Sequence, residues 1–201
     1  MEFATKYGRV PLRHHEGEGQ GLLLVFPGLN YPPDYPLLYY TRKAGLYLGF
    51  GVLELAYDLH ALPRQNRGRL LEELAHTALA WAGERAPRVV LSGKSAGTLA
   101  LAVAPLAELD RPWARVWLTP LLGQTAVRNA LARERRGLAV AGSEDPYAPK
   151  EIWDTLSGPG LRKLWIEGAD HRLESPDPAR SAQHLAAYAE ELLVFLQSAF
   201  A

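Results

Sequence analysis

The segment Val89-Val90-Leu91-Ser92-Gly93-Lys94-Ser95-Ala96-Gly97-Thr98-Leu99-Ala100-Leu101-Ala102-Val103 decides how this chain is read. A β-branched, apolar run ends in Gly-x-Ser-x-Gly, and an alanine- and leucine-rich stretch with helical character follows at once. The pattern predicts a strand, a very tight turn and a helix, with Ser95 at the apex. Such a turn forces the serine into a sparsely populated backbone conformation and lifts its hydroxyl above the carboxyl edge of a sheet. Gly93 and Gly97, lacking Cβ atoms, let strand and helix pass close together. Lys94 is expected on the outer side of the turn, with its ammonium in water. A phosphate-binding loop does not fit, because the leading glycine would fall at position 88, which is Arg88. The dinucleotide pattern Gly-x-Gly-x-x-Gly is likewise broken by Lys94 and Ser95.

Outward from this segment, short apolar runs alternate with segments of helical period. Gly21–Phe26, Val52–Tyr57, Val89–Leu91, Arg115–Leu118, Leu138–Ala141 and Lys163–Ile166 read as six strands, and the first dozen residues add a possible edge strand. Helices are expected over Tyr35–Gly49, around Leu70, Leu71, Leu74, Ala75, Ala78 and Leu79, from Ser95 to Pro105, and over Ala126–Arg133, Glu151–Leu156 and Asp177–Phe200. This alternation predicts one α/β domain over residues 1–201. It is a three-layer sandwich in which a mainly parallel, twisted sheet of six to seven strands is flanked by helices. With 201 residues, 48% of them apolar, the chain can fill one core.

Composition narrows the function. Lys plus Arg equals Asp plus Glu, so the formal net charge is zero, and no basic stripe points to nucleic acid. The absence of cysteine excludes disulfides, thiolate metal sites and a thiol nucleophile. No apolar run approaches the roughly 18 residues of a membrane span, and Met1–Lys6 has no apolar leader character. The expectation is a cytoplasmic protein, monomer or homodimer, that uses no cofactor or metal and contacts neither nucleic acid nor membrane.

A serine hydroxyl is a poor nucleophile until a base takes its proton, and that base needs an orienting acid. In an α/β sheet all three groups should come from loops at the carboxyl ends of strands. After the fifth predicted strand stands Gly142-Ser143-Glu144-Asp145-Pro146-Tyr147, and after the sixth Glu167-Gly168-Ala169-Asp170-His171-Arg172-Leu173-Glu174. His171 is the expected general base, because it alone of the six histidines sits in a short polar loop just past one of the later strands. His76 and His184 fall within helices, His14 and His15 lie near the start, and His60 after the second strand is the rival. Asp145 is the expected acid, with Glu144 and Asp170 as competitors. The oxyanion hole needs two backbone N–H donors. Ala96 offers one, and the turn Phe26-Pro27-Gly28-Leu29-Asn30-Tyr31 the other, with Leu29 as first choice and Asn30 as second. Asn30, Tyr31, Tyr35, Pro120, Leu121, Tyr147 and Leu173 are expected to wall a shallow, mostly apolar substrate site.

With these motifs in hand, the chain resembles the α/β-hydrolase superfamily over nearly its full length, from about Gly21 to Phe200. The likeness rests on Phe26-Pro27-Gly28, Gly93-Lys94-Ser95-Ala96-Gly97, Gly142-Ser143-Glu144-Asp145 and Gly168-Ala169-Asp170-His171, in that order. It implies serine-dependent cleavage of an ester, thioester or amide through an acyl-enzyme. The chain departs from many members in two ways. Thr119–Gly123 runs straight into the next helix, leaving no room for a lid domain, and Pro27-Gly28 replaces the common His-Gly before the oxyanion donor. Two functional classes follow: a serine hydrolase of small carboxylic esters or thioesters, and a non-catalytic relative that keeps the fold for binding or regulation.

Overall fold

The computed structural model describes residues 1–201. Eight strands form one sheet: β1 (Glu2–Thr5), β2 (Gly8–His15), β3 (Leu22–Phe26), β4 (Gly51–Leu55), β5 (Val89–Lys94), β6 (Trp113–Leu118), β7 (Gly137–Gly142) and β8 (Leu161–Ile166). Their spatial order is β1-β2-β4-β3-β5-β6-β7-β8. The six strands read from the sequence are all present and mutually parallel. The start of the chain contributes more than the one edge strand expected. The Thr5–Gly8 turn makes β1 and β2 an antiparallel hairpin, and β2 docks antiparallel on β4. The sheet therefore has eight strands rather than six or seven.

Strands β3 to β7 alternate their apolar side chains between two buried faces, as parallel strands covered on both sides must. In β3, Leu22, Leu24 and Phe26 enter a core of 31 buried residues, whereas Leu23 and Val25 enter another of 21. The first core is closed by α2 (Arg64–Gly83), α3 (Gly97–Val103), α4 (Thr125–Ala132) and α5 (Lys150–Thr155). The second is closed by α1 (Pro36–Tyr47) and α6 (Pro178–Ser198), which pack on each other. Glu134 is fully buried and accepts from Arg115 Nε at 2.7 Å and Trp117 Nε1 at 2.8 Å, whereas the buried Ser92 Oγ, Thr119 Oγ1 and His184 Nδ1 have no partner. β6 ends at Leu118 and α4 begins at Thr125, so no lid domain intervenes.

The topology also says where a ligand can go. From β3 the chain moves to β4 on one side and then crosses to β5 on the other. Such a reversal opens a crevice at the carboxyl ends of the two strands on either side of it. Here those ends are Phe26-Pro27-Gly28 and Lys94-Ser95. The crossing is very close: a Cβ on Gly97 would stand 2.1 Å from the Phe26 carbonyl oxygen, and one on Gly93 2.6 Å from that of Gly97. Both contacts are with backbone, which cannot swing aside. Gly97→Ala should therefore cost about 3 kcal/mol or more of unfolding free energy, at the upper end for an overpacked core. Urea denaturation measures it, and an alanine variant as stable as the parent would refute the packing argument.

Candidate active site

Ser95 follows β5 directly and has φ +52°, the left-handed region that a non-glycine residue enters only under constraint. Its N–H donates to the Leu118 carbonyl at 2.9 Å, and its own carbonyl accepts from Thr98 N–H and Thr98 Oγ1. The strained residue is thus tied to the neighbouring strand and to the first turn of α3. Its side chain is left at the top of the sheet, 8% exposed.

His171 lies in the loop after β8, with Nε2 2.8 Å from Ser95 Oγ. On the other side of the ring, Nδ1 is 2.9 Å from both carboxylate oxygens of Asp145. An ionised carboxylate only accepts, so this pairing places the ring proton on Nδ1 and leaves the Nε2 lone pair facing the serine hydroxyl. The Asp145 side chain is fully buried and that of His171 is 21% exposed. Asp145 is held in turn by the Tyr147 N–H, which donates to its Oδ1 at 2.9 Å. The chain order of the three residues is serine, acid, histidine.

The two rival acids have other partners. Glu144 is exposed and accepts from Ser143 Oγ at 3.2 Å. Asp170 Oδ1 accepts the backbone N–H groups of Arg172 at 2.7 Å and Glu174 at 2.9 Å, which shapes the loop carrying His171. His60, the rival base, is exposed and its Nε2 is bonded to Asn30 Oδ1 rather than to the serine.

The backbone N–H groups of Ala96, next to Ser95 in the chain, and of Leu29 and Asn30 have no acceptor within the protein. Gly28 brings the second pair close, since a Cβ there would stand 3.2 Å from the Cβ of Ser95. Asn30 itself has φ +56°, which turns the segment back so that Tyr31 N–H reaches the Gly28 carbonyl. Unpaired backbone donors are what an oxyanion requires.

The expected substrate walls divide into two groups. Asn30, Tyr35 and Tyr147 are exposed and Leu121 is half-buried, all on the rim. Tyr147 lays its ring 4.7 Å from the imidazole of His171, centroid to centroid. Tyr31 and Leu173, each 2% exposed, lie in the second core instead, and Pro120 is buried as well. The Tyr31 hydroxyl accepts from Leu37 N–H at 3.1 Å, and burial pushes its pKa up to about 12. A concavity of about 630 Å³ between α2 and residues 105–111 lies away from the site and touches neither Ser95 nor His171.

Lys94 overturns its expectation. It is 2% exposed, its Nζ donates to the His171 carbonyl at 3.0 Å, and the same Nζ lies 4.7 Å from the centroid of the Tyr31 ring. The side chain runs under the elbow instead of into water because the turn needs its neighbour Ser95 on top. The space below is walled by Gly28, whose absent Cβ would meet Lys94 Cδ at 3.0 Å. Burial lowers its pKa from 10.5 to about 8, against the opposing pull of Asp145 and Asp170.

The chain matches no known family model, and no curated protein is similar to it in sequence. Its structure is nonetheless like several that have been solved. Est1E of Butyrivibrio proteoclasticus, determined with ferulic acid bound, superposes with a TM-score of 0.79 at 15% identity, over 100% of this chain and 99% of that one. An α/β serine hydrolase without lid from Xanthomonas campestris gives 0.75 at 14% identity, over 98% and 92%. An esterase of Pyrococcus furiosus gives 0.76 at 14% identity, over 100% and 92%. The chain has the α/β-hydrolase fold in its lid-less form.

The buried ammonium has a consequence for stability. A lysine with a depressed pKa binds fewer protons when folded than when unfolded between pH 8 and 10.5, so its contribution to stability rises with pH across that window. Below pH 8 the full penalty applies, roughly 3 kcal/mol at about 1.4 kcal/mol per unit. The unfolding free energy of the wild type, relative to Lys94→Met, should therefore climb between pH 7.5 and 10. A difference independent of pH would show that the ammonium is not buried in solution.

Proposed function

We propose that this protein is a serine hydrolase of small carboxylic esters or thioesters. Ser95 is the nucleophile, His171 the general base and Asp145 the acid that orients it. The observation that carries this reading is the unbroken relay from Ser95 Oγ to His171 Nε2 and from Nδ1 to Asp145, at 2.8 and 2.9 Å. The likeness to an esterase and to a lid-less serine hydrolase supports it.

In the first half of the reaction, Ser95 Oγ attacks the carbonyl carbon while its proton passes to His171 Nε2. The negative charge that develops on the carbonyl oxygen is met by the N–H of Ala96 and that of Leu29, or of Asn30 beside it. The imidazolium is stabilised by Asp145 and returns the proton to the departing alcohol or thiol. Water then attacks the acyl carbon while His171 takes its proton, and as the acyl–Oγ bond breaks to release the carboxylic acid His171 returns that proton to Ser95 Oγ. No metal or cofactor takes part in this scheme.

The open, lid-less rim sets the substrate class. Leu29, Leu121 and Tyr147 offer apolar surface and no buried cation faces the serine from the solvent side, which suits a small, uncharged acyl group. The non-catalytic alternative has no observation of its own in its favour, since a binding protein has no need of the relay.

Native protein should label with a fluorophosphonate probe and hydrolyse short-chain p-nitrophenyl esters. Ser95→Ala should abolish both while keeping the fold, and Asp145→Asn should lower kcat by about 10⁴-fold through the wrong imidazole tautomer. Folded protein that neither labels nor turns over any ester would refute the hydrolase reading.

A further inference from the structure

Lys94 takes no part in the chemistry just described, yet its side chain connects two of the segments that carry it. It precedes Ser95 in the elbow, and its Nζ donates at 3.0 Å to the backbone carbonyl of His171, 77 residues further along the chain. The hydrogen bond is charge-assisted and shut away from water, with Lys94 2% exposed. The Tyr31 ring closes the other side, its centroid 4.7 Å from the nitrogen. Tyr31 is fixed by its own bond to Leu37 at the start of α1. A buried lysine costs free energy that a methionine of similar length would not. Its presence between elbow and histidine loop therefore calls for a role other than stability.

We propose that Lys94 is the positioning residue of this site, clamping the loop that carries His171 to the nucleophile elbow so that Nε2 is held within reach of Ser95 Oγ. The inference rests on the hydrolase reading above and adds to it the group that sets the serine–imidazole distance. The clamp acts on the backbone of the loop. That loop is a short segment between β8 and α6, and Leu173 within it is in the left-handed region at φ +60°. Other ties are internal: Asp170 N–H to the Glu174 carbonyl, Leu173 N–H to the Asp170 carbonyl, and the two bonds accepted by Asp170 Oδ1. Others run to the loop after β7: Glu144 N–H to the Ala169 carbonyl, Gly168 N–H to Ser143 Oγ, and the His171–Asp145 pair. Those bonds hold the loop to itself and to the loop after β7, and none of them reaches the nucleophile elbow. The Lys94 bond runs from elbow to loop directly.

The clamp makes the site sensitive to alkali. The charged and titratable groups facing Lys94 are Asp145 from the loop after β7, Asp170, His171 and Arg172 from the loop after β8, and Tyr31 from the loop after β3. The carboxylates favour the ammonium, Arg172 opposes it, and Tyr31 stays neutral through this range. As pH rises through about 8 the ammonium loses its proton and the clamp falls back to a weaker neutral hydrogen bond.

The test is Lys94→Met, which fills the same channel without a donor. Amide hydrogen exchange of residues 168–174 should accelerate about tenfold or more while the sheet amides stay unchanged. kcat for a p-nitrophenyl ester should fall about 10- to 100-fold with KM within about twofold, the pattern of a misplaced base rather than lost binding. The decline of wild-type kcat through pH 8 should vanish in the variant. Unchanged loop exchange and unchanged kcat in a folded variant would overturn the proposal. Should the methionine variant fail to fold, Lys94→Gln gives the same readouts, and failure of both would show that the lysine serves the fold and refute the clamp. The exchange measurement needs no substrate. A wild type without esterase activity thus refutes the hydrolase reading alone, while loop exchange still decides whether Lys94 holds the loop.

Discussion

Every functional feature of this molecule depends on how closely α3 passes the end of β3. Gly97 lies so near the Phe26 carbonyl that no side chain fits between them, and none fits between Gly93 and the Gly97 carbonyl. With helix and strands locked at that separation, the link between them leaves Ser95 no ordinary backbone path, and it is driven to φ +52° while Ala96 already has helical dihedrals. Strain of this kind costs of order 1–3 kcal/mol and persists only where the surroundings over-determine it. Here they do, through bonds from Ser95 to Leu118 and Thr98. One side of the elbow must then face solvent and the other the protein interior, which puts the hydroxyl of Ser95 above and the ammonium of Lys94 below.

That division explains an arrangement that is costly on its face. The polar groups near the elbow are sorted by accessibility. Asp145 is wholly enclosed, His171 is partly covered by the ring of Tyr147, and Ser95 sits at the opening. Burial strengthens the pairing of acid and imidazole because little water competes for either. The ammonium of Lys94 shares this interior with two carboxylates that favour its charge, while desolvation works against it. Between those opposing effects, its pKa falls from 10.5 to about 8.

Much of the architecture could be read from residue order. Parallel strands covered on both faces must be continuous apolar runs, and Leu22–Phe26, Val89–Leu91 and Leu138–Ala141 are such runs. The hairpin of β1 and β2 was less legible because these strands lie at an edge. With one face partly in water, their sequence mixes Arg9, Arg13, His14 and His15 with only a few buried positions. The loops after β5, β7 and β8 were recognisable as candidate carriers of Ser95, Asp145 and His171 at one sheet edge, because turn-forming residues follow directly on apolar runs. Order along the chain could not choose between Asp145, Glu144 and Asp170, which differ only in the direction their loops turn them.

Alone, then, the sequence determined the strand–helix alternation, the elbow and the identity of the loops that could meet at the sheet's carboxyl edge. These follow from local patterns, namely hydrophobic period, turn chemistry and the need for glycine where backbones touch. Tertiary structure decided which carboxylate meets His171, that Tyr31 and Leu173 belong to the core, and that Lys94 turns inward to the His171 carbonyl. Each of those outcomes depends on groups dozens of residues apart arriving at one place. Their side-chain directions are set by the packing of neighbours that no local pattern encodes.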